Sequence, residues 1–454
     1  MLESFTVRNF RSIKEATLSL TFAERRAPAG FRTMENIPFV QVGKTPRDRL
    51  VTAMALYGPN GCGKSALIRA AHTLRDTVLD GWYADRYEPN LLVSELWGKP
   101  SEFSMTFWQD GIRSTYALSI DAEGIVAESL TADGRLVFAV ENAELTAFNE
   151  KLPDNPTLEE VEELFRTEAV HDRTKRQVLT FIDALYYKLD RRSRISAAVD
   201  FFLEELAVVE KEDLSDFLPG LKALAFSVDD PDAFARLRGA GDMVRRRLRQ
   251  LDIDLQDFEY GPEIFETVPT EGLDDLTTVQ AGDDKAPVRW FWQEESDGTK
   301  RLIGLLGFLL SALEEGKTVL VDDLDASTHG LLVIELVRLF KERRLNKTNA
   351  QIIFTLHNPH LLDAGLLRVS EIATMRLIDC RGTEIQRLSA VPGMEKVPNP
   401  CRNGEIRRRY LRGDFGGIPS AFLGVARPSN RHRLKPEVGN RVIKFANLFR
   451  PASL

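Results

Sequence analysis

The first 20 residues alternate between apolar and polar positions in two runs, a pattern that predicts a pair of strands. The apolar positions of these runs are Phe5, Val7, Ala16, Leu18 and Leu20. Residues 103–107 and 115–120 are two further runs rich in strand-forming residues, and Asp110-Gly111 between them is typical of a tight hairpin turn. We therefore expect antiparallel hairpins in the N-terminal part of the chain.

Apolar strands alternate with helical patterns on either side of the middle of the chain. The segment VTAMALY (51–57) predicts a buried strand, and SALIRAAHTLRDTVLDGW predicts a helix after it. Farther along, the predicted elements are a helix at 300–314, a strand at 318–322, a helix at 331–343 and a strand at 351–356. Such alternation is typical of a parallel sheet covered on both faces, so the predicted fold class is α/β.

Residues 141–284 have a different character and predict a mostly α-helical insertion. The stretches RQVLTFIDALYYKL, RISAAVDFFLEELAVV and DMVRRRLRQL have helical spacing, and TVQAGDDKAP predicts a polar, flexible exit. We therefore expect an N-terminal lobe at 1–140, the insertion, a C-terminal lobe at 285–426 and a basic tail at 427–454.

Composition narrows the classes of protein to consider. At 454 residues the chain has the length of about three domains at roughly 150 residues each. Its net charge of −8 argues against a uniformly basic surface for nucleic acid but leaves room for a local basic patch. Its three cysteines, Cys62, Cys380 and Cys401, have no metal-ligand spacing and suit a reducing compartment. Because MLESFTVRNFRSIK lacks the apolar stretch of a secretory signal and the apolar run from Leu302 is too short to span a bilayer, we expect a cytoplasmic protein without membrane contact.

The segment GPNGCGKS (58–65) fits the phosphate-loop pattern G-x-x-x-x-G-K-[ST] and lies between a predicted strand and a predicted helix. Glycines let main-chain N–H groups face phosphate oxygens, and the start of the helix adds its positive end. The residues expected to bind nucleotide are Gly58, Asn60, Gly61, Gly63, Lys64 and Ser65. Lys64 would contact the β- and γ-phosphates of ATP, and the Ser65 hydroxyl would bind Mg²⁺. Cys62 is expected to fill space in the loop rather than to react.

The segment VLVDDLDASTH (319–329) predicts a strand that ends in acidic residues. Asp322 would hold Mg²⁺ through water, as the aspartate of a Walker B motif does. Asp323 stands where a nucleotide hydrolase usually has the glutamate that polarises the attacking water. These could also be ordinary carboxylates at the end of a strand, but the phosphate loop upstream favours a nucleotide site.

Two weaker motifs flank this strand. In EESDGTKRL, Ser296 and Gly298 have the spacing of the second and fourth positions of the ABC-type signature LSGGQ, although the same letters are a common start of a helix. Residues 324–327, which include Asp325, are similar to a D-loop. His357 ends the strand QIIFTL, where a switch histidine would contact the γ-phosphate. A lone histidine is more often structural, but its order in the chain favours the switch role.

Together these motifs resemble the ABC-type ATPase heads of the SMC, RecF and OLD kind. The segments ESDGTKRL, DDLDAS, FTLHNPHLLD and RRRYLRGDFGGIP resemble more closely the AbiL/RloA-type ATPases of bacterial defence systems, a group that includes the ATPase subunit of the PARIS system. The resemblance extends to about residue 419. In two places the chain departs from the pattern: Asp323 replaces a glutamate, and Thr328-His329-Gly330 replaces Leu-His-Pro.

This resemblance implies a P-loop ATPase head with a parallel sheet core, an antiparallel β lobe and a helical insertion. It implies ATP and Mg²⁺ as ligands and assembly as a homodimer or larger particle. It also implies a separate Toprim- or nuclease-like effector chain and a role in abortive infection. Because the signature acts on nucleotide held by the opposite subunit, Ser296 and Gly298 are expected far from their own Lys64 and near that of a second copy.

The shorter side chain of Asp323 leaves two hypotheses open. Its carboxylate is withdrawn by about one C–C bond, roughly 1.5 Å, and a misplacement of about 1 Å can cost on the order of a hundredfold in rate. Slow turnover would give a long-lived ATP-bound state, which suits a sensor or clamp. Alternatively, a small shift of the backbone restores the geometry.

Three functions remain at this point. The first is a defence ATPase that senses a phage cue and controls an effector, the second is a RecF-like DNA-repair clamp, and the third is a non-hydrolysing nucleotide-gated scaffold. DNA binding would depend on basic stretches at 171–176, 189–194 and 242–251 and on the tail. Such stretches are more often solvated faces, and the tail is the better candidate. Gln109 lies in the predicted hairpin turn and does not fit a Q-loop.

Overall fold

A parallel sheet, an antiparallel sheet and the helix between them form the part of the chain that positions the predicted motifs. The computed structural model describes residues 1–152, 155–167, 170–173, 178, 180–186, 193–210, 255–260, 276–281, 286–378, 382–397, 399–401 and 404–418. All of them belong to the unit Met1–Ile418, and a second unit, Pro419–Leu454, lies outside the described residues. A short antiparallel pair, β3 (Val40–Gln41) and β4 (Arg49–Leu50), lies outside the two large sheets.

The central sheet has six strands, of which the first five in sheet order are parallel. In that order they are β11 (Leu206–Val209), β15 (Thr318–Val321), β16 (Gln351–Leu356), β5 (Ala53–Tyr57), β17 (Ile372–Ile378) and β18 (Gly382–Arg387). Every residue of β5, β15 and β16 is buried, because helices or sheet cover both faces. The strands predicted at these three places are confirmed.

The second sheet has seven strands and is antiparallel throughout. In sheet order they are β10 (Glu144–Phe148), β9 (Arg135–Glu141), β8 (Ile125–Ala132), β7 (Ile112–Ile120), β6 (Ser101–Gln109), β1 (Leu2–Phe10) and β2 (Ile13–Ser19). The turn between β6 and β7 consists of Asp110 and Gly111, whose φ angles of 51° and 77° are those of a tight hairpin. Both predicted hairpin regions are confirmed.

Seven helices are described: α1 (Lys64–Asp80), α2 (Leu158–Thr167), α3 (Phe181–Tyr186), α4 (Arg194–Asp200), α5 (Asp297–Glu315), α6 (Gly330–Lys341) and α7 (Glu405–Arg412). Met54 and Leu56 of β5 share a core with α1 and the antiparallel sheet. The alternate positions Ala53, Ala55 and Tyr57 face α5 and α6. Helix α1 therefore lies between the two sheets, and the predicted α/β fold class is confirmed.

The apolar run from Leu302 forms most of α5, and this part of the helix is buried except at Phe308 and Ser311. In the described part of the chain, no helix combines the length and the apolar content that crossing a membrane requires.

The prediction of a mostly helical stretch at 141–284 is wrong for several of its segments. Leu206–Val209, predicted as helix, is β11, because it completes the edge of the parallel sheet beside β15. The predicted flexible exit contains β13 (Leu276–Ala281), which pairs with β12 (Leu255–Tyr260) and β14 (Pro287–Phe291). The pairings of β11 with β15 and of β12 with β13 join residues distant in sequence, so local periodicity does not reveal them. The helix predicted at 242–251 and the tail at 427–454 lie outside the described residues, and the domain boundaries stay predictions.

Candidate functional site

The predicted motifs meet because β15, β16 and β5 are parallel neighbours. Val321 pairs with Phe354, and Leu356 pairs with Tyr57. Three segments begin where these strands end. The acidic segment (322–325) follows β15, the histidine loop (357–358) follows β16, and the phosphate loop (58–65) follows β5. The carboxyl ends of parallel strands meet at one edge of a sheet, which is where such folds bind ligands.

The phosphate loop has two positions where only glycine fits. A Cβ at Gly58 would lie 2.5 Å from the Cys62 sulfur and 2.7 Å from the Met375 carbonyl oxygen. At Gly63, φ is 101° and a Cβ would overlap the Thr383 hydroxyl. Burial raises the pKa of the Cys62 thiol, which keeps the side chain neutral and supports the predicted space-filling role.

Lys64 lies at the start of α1 with its ammonium group inside the loop. Its side chain is buried, and Nζ donates hydrogen bonds to the Gly58 carbonyl at 2.8 Å and the Pro59 carbonyl at 3.4 Å. Burial lowers the pKa of Lys64, and the nearby carboxylates at 322–325 oppose that shift. The first turn of α1 reads Lys-Ser-Ala-Leu, so its positive end is not offset by a local acid.

The remaining predicted loop residues lie at the surface of the same loop. Asn60, Gly61 and Ser65 are exposed, and Gly61 has a φ of 77°. The loop therefore combines a buried cation with main-chain and hydroxyl groups that a ligand can reach.

Thr355, in β16, holds both carboxylate residues at the end of β15. Its hydroxyl donates to Asp322 Oδ1 at 2.6 Å and accepts the Asp323 N–H at 2.7 Å. Its carbonyl accepts the Leu324 N–H at 2.9 Å. Sequence reasoning missed this residue, and the available signal was a hydroxyl in the otherwise apolar end of the strand QIIFTL.

Asp323 and His357, the predicted water-polarising and switch residues, are brought together. His357 Nε2 lies 3.4 Å from Asp323 Oδ1, and the imidazole is 43% exposed. Asp323 has a φ of 48°, in the left-handed region that aspartate tolerates better than most residues. The pair therefore lies where the adjacent strands β15 and β16 end, at the edge of the sheet that contains the phosphate loop.

Asp325, predicted as a nucleotide-binding residue, holds the histidine loop through its carboxylate. Oδ2 accepts the N–H of His357 at 2.9 Å and of Asn358 at 2.6 Å. The same loop lies close to Gly330, where a Cβ would be 2.9 Å from Asn358 Nδ2. His329 caps α6, since its Nδ1 accepts the Leu331 N–H at 3.3 Å.

The predicted signature residues form the N-terminus of α5. Ser296 is the N-cap, and its Oγ accepts the Thr299 N–H at 3.1 Å. Gly298 packs against the D-loop of its own chain, where a Cβ would lie 2.9 Å from the Ser327 carbonyl oxygen. Gly298 of the signature segment therefore lies against the D-loop of the same chain.

The segment RYLRGDFGGI (409–418) packs beside the phosphate loop. The Tyr410 ring lies 5.3 Å from the ring of Tyr57, the residue before Gly58. The Tyr410 hydroxyl donates to the Gly417 carbonyl at 2.9 Å, and Thr374 Oγ1 of β17 donates to the Phe415 carbonyl at 3.1 Å. These contacts give the segment a packing role beside the site.

The donor groups at this edge fit a phosphate-bearing ligand with Mg²⁺. The main-chain N–H groups of the phosphate loop and the Lys64 ammonium suit anionic oxygens. The Ser65 hydroxyl and the Asp322 carboxylate are the oxygen donors that Mg²⁺ prefers.

Three comparisons relate the chain to known proteins. Residues 53–363 match the family model described as "AAA domain, putative AbiEii toxin, Type IV TA system". A solved structure described as "SMC head domain from Thermotoga maritima" is similar, with 14% identity, coverage of 85% of this chain and 98% of that one, and a TM-score of 0.38. A comparison with curated proteins gave no significant match. Because the family model matches more than half of the chain, the protein belongs to this family of AAA domains.

Proposed function

We propose that the protein is an Mg²⁺-dependent ATPase that assembles with a second copy around ATP and regulates a separate effector in anti-phage abortive infection. The observation that carries the ATPase part is the convergence of Lys64, Asp322, Asp323 and His357 at one edge of the parallel sheet. A buried cation beside carboxylates, in a loop that requires glycine, is what binding and cleaving a polyphosphate needs.

Each residue has a distinct task in this proposal. Lys64 and the loop N–H groups bind the β- and γ-phosphates, and Ser65 and Asp322 hold Mg²⁺, which offsets the phosphate charge when bound. Asp323 orients the attacking water and accepts its proton, and His357, 3.4 Å away, contacts the γ-phosphate. Thr355 holds the Asp322 carboxylate and the main-chain N–H of Asp323.

In this proposal, a second copy of the chain contributes its signature segment to the nucleotide site. Gly298 lies against the D-loop of its own chain, and we propose that Ser296 and Gly298 contact nucleotide held by another chain, as the ABC-type signature is expected to do. A hydroxyl and main-chain N–H groups at the start of a 19-residue helix suit the γ-phosphate.

The regulatory part of the proposal rests on the family description and on the resemblance to AbiL/RloA-type ATPases. The family description names a putative AbiEii toxin of a type IV toxin–antitoxin system. A slow ATPase with a long-lived bound state suits the control of a Toprim- or nuclease-like effector.

The RecF-like alternative requires basic side chains that can contact DNA. In one basic stretch, the described basic side chains contact acidic residues of the same chain. In the stretch 171–176, the buried His171 contacts Glu128 at 2.8 Å, and Arg173 forms an ion pair with Asp121. The stretches at 189–194 and 242–251 and the tail have no described basic side chain except Arg194. The defence role is the main proposal because it agrees with the family description.

Mixed assemblies test whether two chains form one site. Lys64→Ala and Ser296→Arg proteins should each hydrolyse ATP at background rates, whereas assemblies with one chain of each kind regain about half the wild-type rate because one of two sites is intact. Differently tagged chains, purified in tandem, give the sample for steady-state ATPase assays. Lys347→Ala, at an exposed lysine, is the matched control and should behave as wild type. An inactive mixed assembly beside an active wild type would contradict the composite site.

Thr355→Val tests the shared hydroxyl. The variant keeps the shape of the side chain, so we expect kcat to fall roughly tenfold, with a smaller change in ATP affinity, because the carboxylates lose their orientation. Thr355→Ser retains the hydroxyl and should keep most of the activity. Thr318→Val, a buried threonine at the start of β15, is the control. Equal losses in Thr355→Val and Thr318→Val would reduce Thr355 to a packing residue.

Asp323 variants test slow turnover. Asp323→Asn should bind ATP and not cleave it. Asp323→Glu should raise kcat by roughly tenfold, less than the hundredfold that about 1 Å can be worth, because glutamate tolerates the left-handed backbone less well. Single-turnover assays separate cleavage from product release. If Asp323→Glu cleaves ATP no faster than wild type, the long-lived bound state does not come from the short side chain.

The effector is tested by purification of tagged Asp323→Asn protein from its native host with ATP present. We expect a Toprim- or nuclease-like protein in fixed stoichiometry and a particle larger than a dimer by mass measurement. Lys64→Ala protein, which should not bind ATP, is the control bait. A simple dimer that carries DNA and recombination proteins would favour the RecF-like function instead.

A further inference from the structure

Arg301 is a buried cation in the second turn of α5, one helical turn beyond the signature segment. It is 5% exposed, and the next residues, Leu302 and Ile303, are apolar and buried. An arginine is rarely buried in this way without partners, because removing its charge from water is costly. Its contacts therefore indicate a specific role.

The contacts of Arg301 go to the main chain of the acidic segment. Nη2 donates to the Asp323 carbonyl at 2.8 Å and to the Asp322 carbonyl at 3.4 Å. Burial lowers the pKa of Arg301, and the carboxylates of Asp323, Asp322 and Asp325 oppose that shift. The guanidinium thus lies within the electrostatic field of the three aspartates while it bonds to the main-chain carbonyls of Asp322 and Asp323.

Asp323 is consequently fixed at both ends of its main chain. Its N–H donates to Thr355 Oγ1 at 2.7 Å, and its carbonyl accepts from Arg301. Between these two bonds its φ is 48°, a conformation that persists only when the surroundings determine it. The two bonds come from different elements, β16 and α5.

The structure assigns Arg301 as a positioning residue that sets the direction of the Asp323 carboxylate in its own chain and so ties the signature helix to that chain's hydrolytic group. This inference rests on the proposed ATPase function. Ser296 and Gly298 at the start of α5 serve nucleotide on the partner, whereas Arg301 on the same helix serves the site that contains its own Lys64. Displacement of α5 by the partner's ATP would therefore reach Asp323 through one hydrogen bond.

The mixed assembly of Lys64→Ala and Ser296→Arg chains distinguishes an effect of Arg301 on the site of its own chain from an effect on the site of the partner. Its single intact site takes Lys64 and Asp323 from the Ser296→Arg chain and the signature from the Lys64→Ala chain. Arg301→Met is introduced into one chain at a time, and kcat and the ATP dissociation constant are measured for each assembly.

We expect Arg301→Met in the Ser296→Arg chain to lower kcat roughly tenfold while ATP affinity changes less than about threefold. In the Lys64→Ala chain the same substitution should leave the rate within about twofold. Arg301→Lys keeps a cationic donor and should give a smaller loss, about threefold, in the same chain only. It replaces Arg301→Met in both assemblies if the methionine variant does not fold.

Equal losses in both assemblies, or a loss only in the chain that supplies the signature, would overturn the inference, since Arg301 would then act through the shape of α5. No loss in either assembly would overturn it as well. An unsubstituted mixed assembly without activity is a failure of the composite site itself, so the two proposals fail in distinguishable ways.

Discussion

Parallel pairing of β5, β16 and β15 is the constraint on which the site depends, because residues that follow neighbouring parallel strands must meet at one edge. Cross-strand bonds then connect the three segments. Thr355 of β16 bonds to Asp322 and Asp323 after β15, and Asp325 bonds back to the loop that contains His357. Hydrogen bonds therefore join the end of each of these strands to the next. The phosphate loop lies next to these segments because β5 pairs with β16. Its Lys64 ammonium also interacts electrostatically with the carboxylates at 322–325.

The left-handed conformation of Asp323 gives a physical reason for an aspartate at this position. Aspartate is several-fold enriched over most residues at positive φ, and a glutamate would gain reach at the expense of backbone strain. Ser327, in the same loop, also has a positive φ of 54° and places its carbonyl against Gly298. At Asp323 this conformation is held by the hydrogen bonds from Thr355 and Arg301.

The sequence was sufficient for what depends on local pattern or on order along the chain. The phosphate loop, the acidic strand end, the position of His357 and the α/β alternation follow from spacing, and the hairpin at Asp110-Gly111 follows from turn chemistry. What failed depends on pairing across the fold: β11 was predicted as helix because its role as an edge strand comes only from β15. Thr355 and Arg301 were missed for the same reason, since their bonds join segments that are 21 or more residues apart. The positions of Ser296 and Gly298 at a helix start were predictable, but their contact with the D-loop was not.

A structure of the Asp323→Asn protein with ATP and Mg²⁺ tests the central claim most directly, because it shows which chains contact one γ-phosphate. The account predicts two copies, with the γ-phosphate bound by Lys64 of one chain and by Ser296 and the Gly298 N–H of the other, and with the Arg301 bond to residue 323 kept within each chain. A nucleotide whose γ-phosphate is contacted by a single chain, with both signature segments turned away from it, would contradict the account.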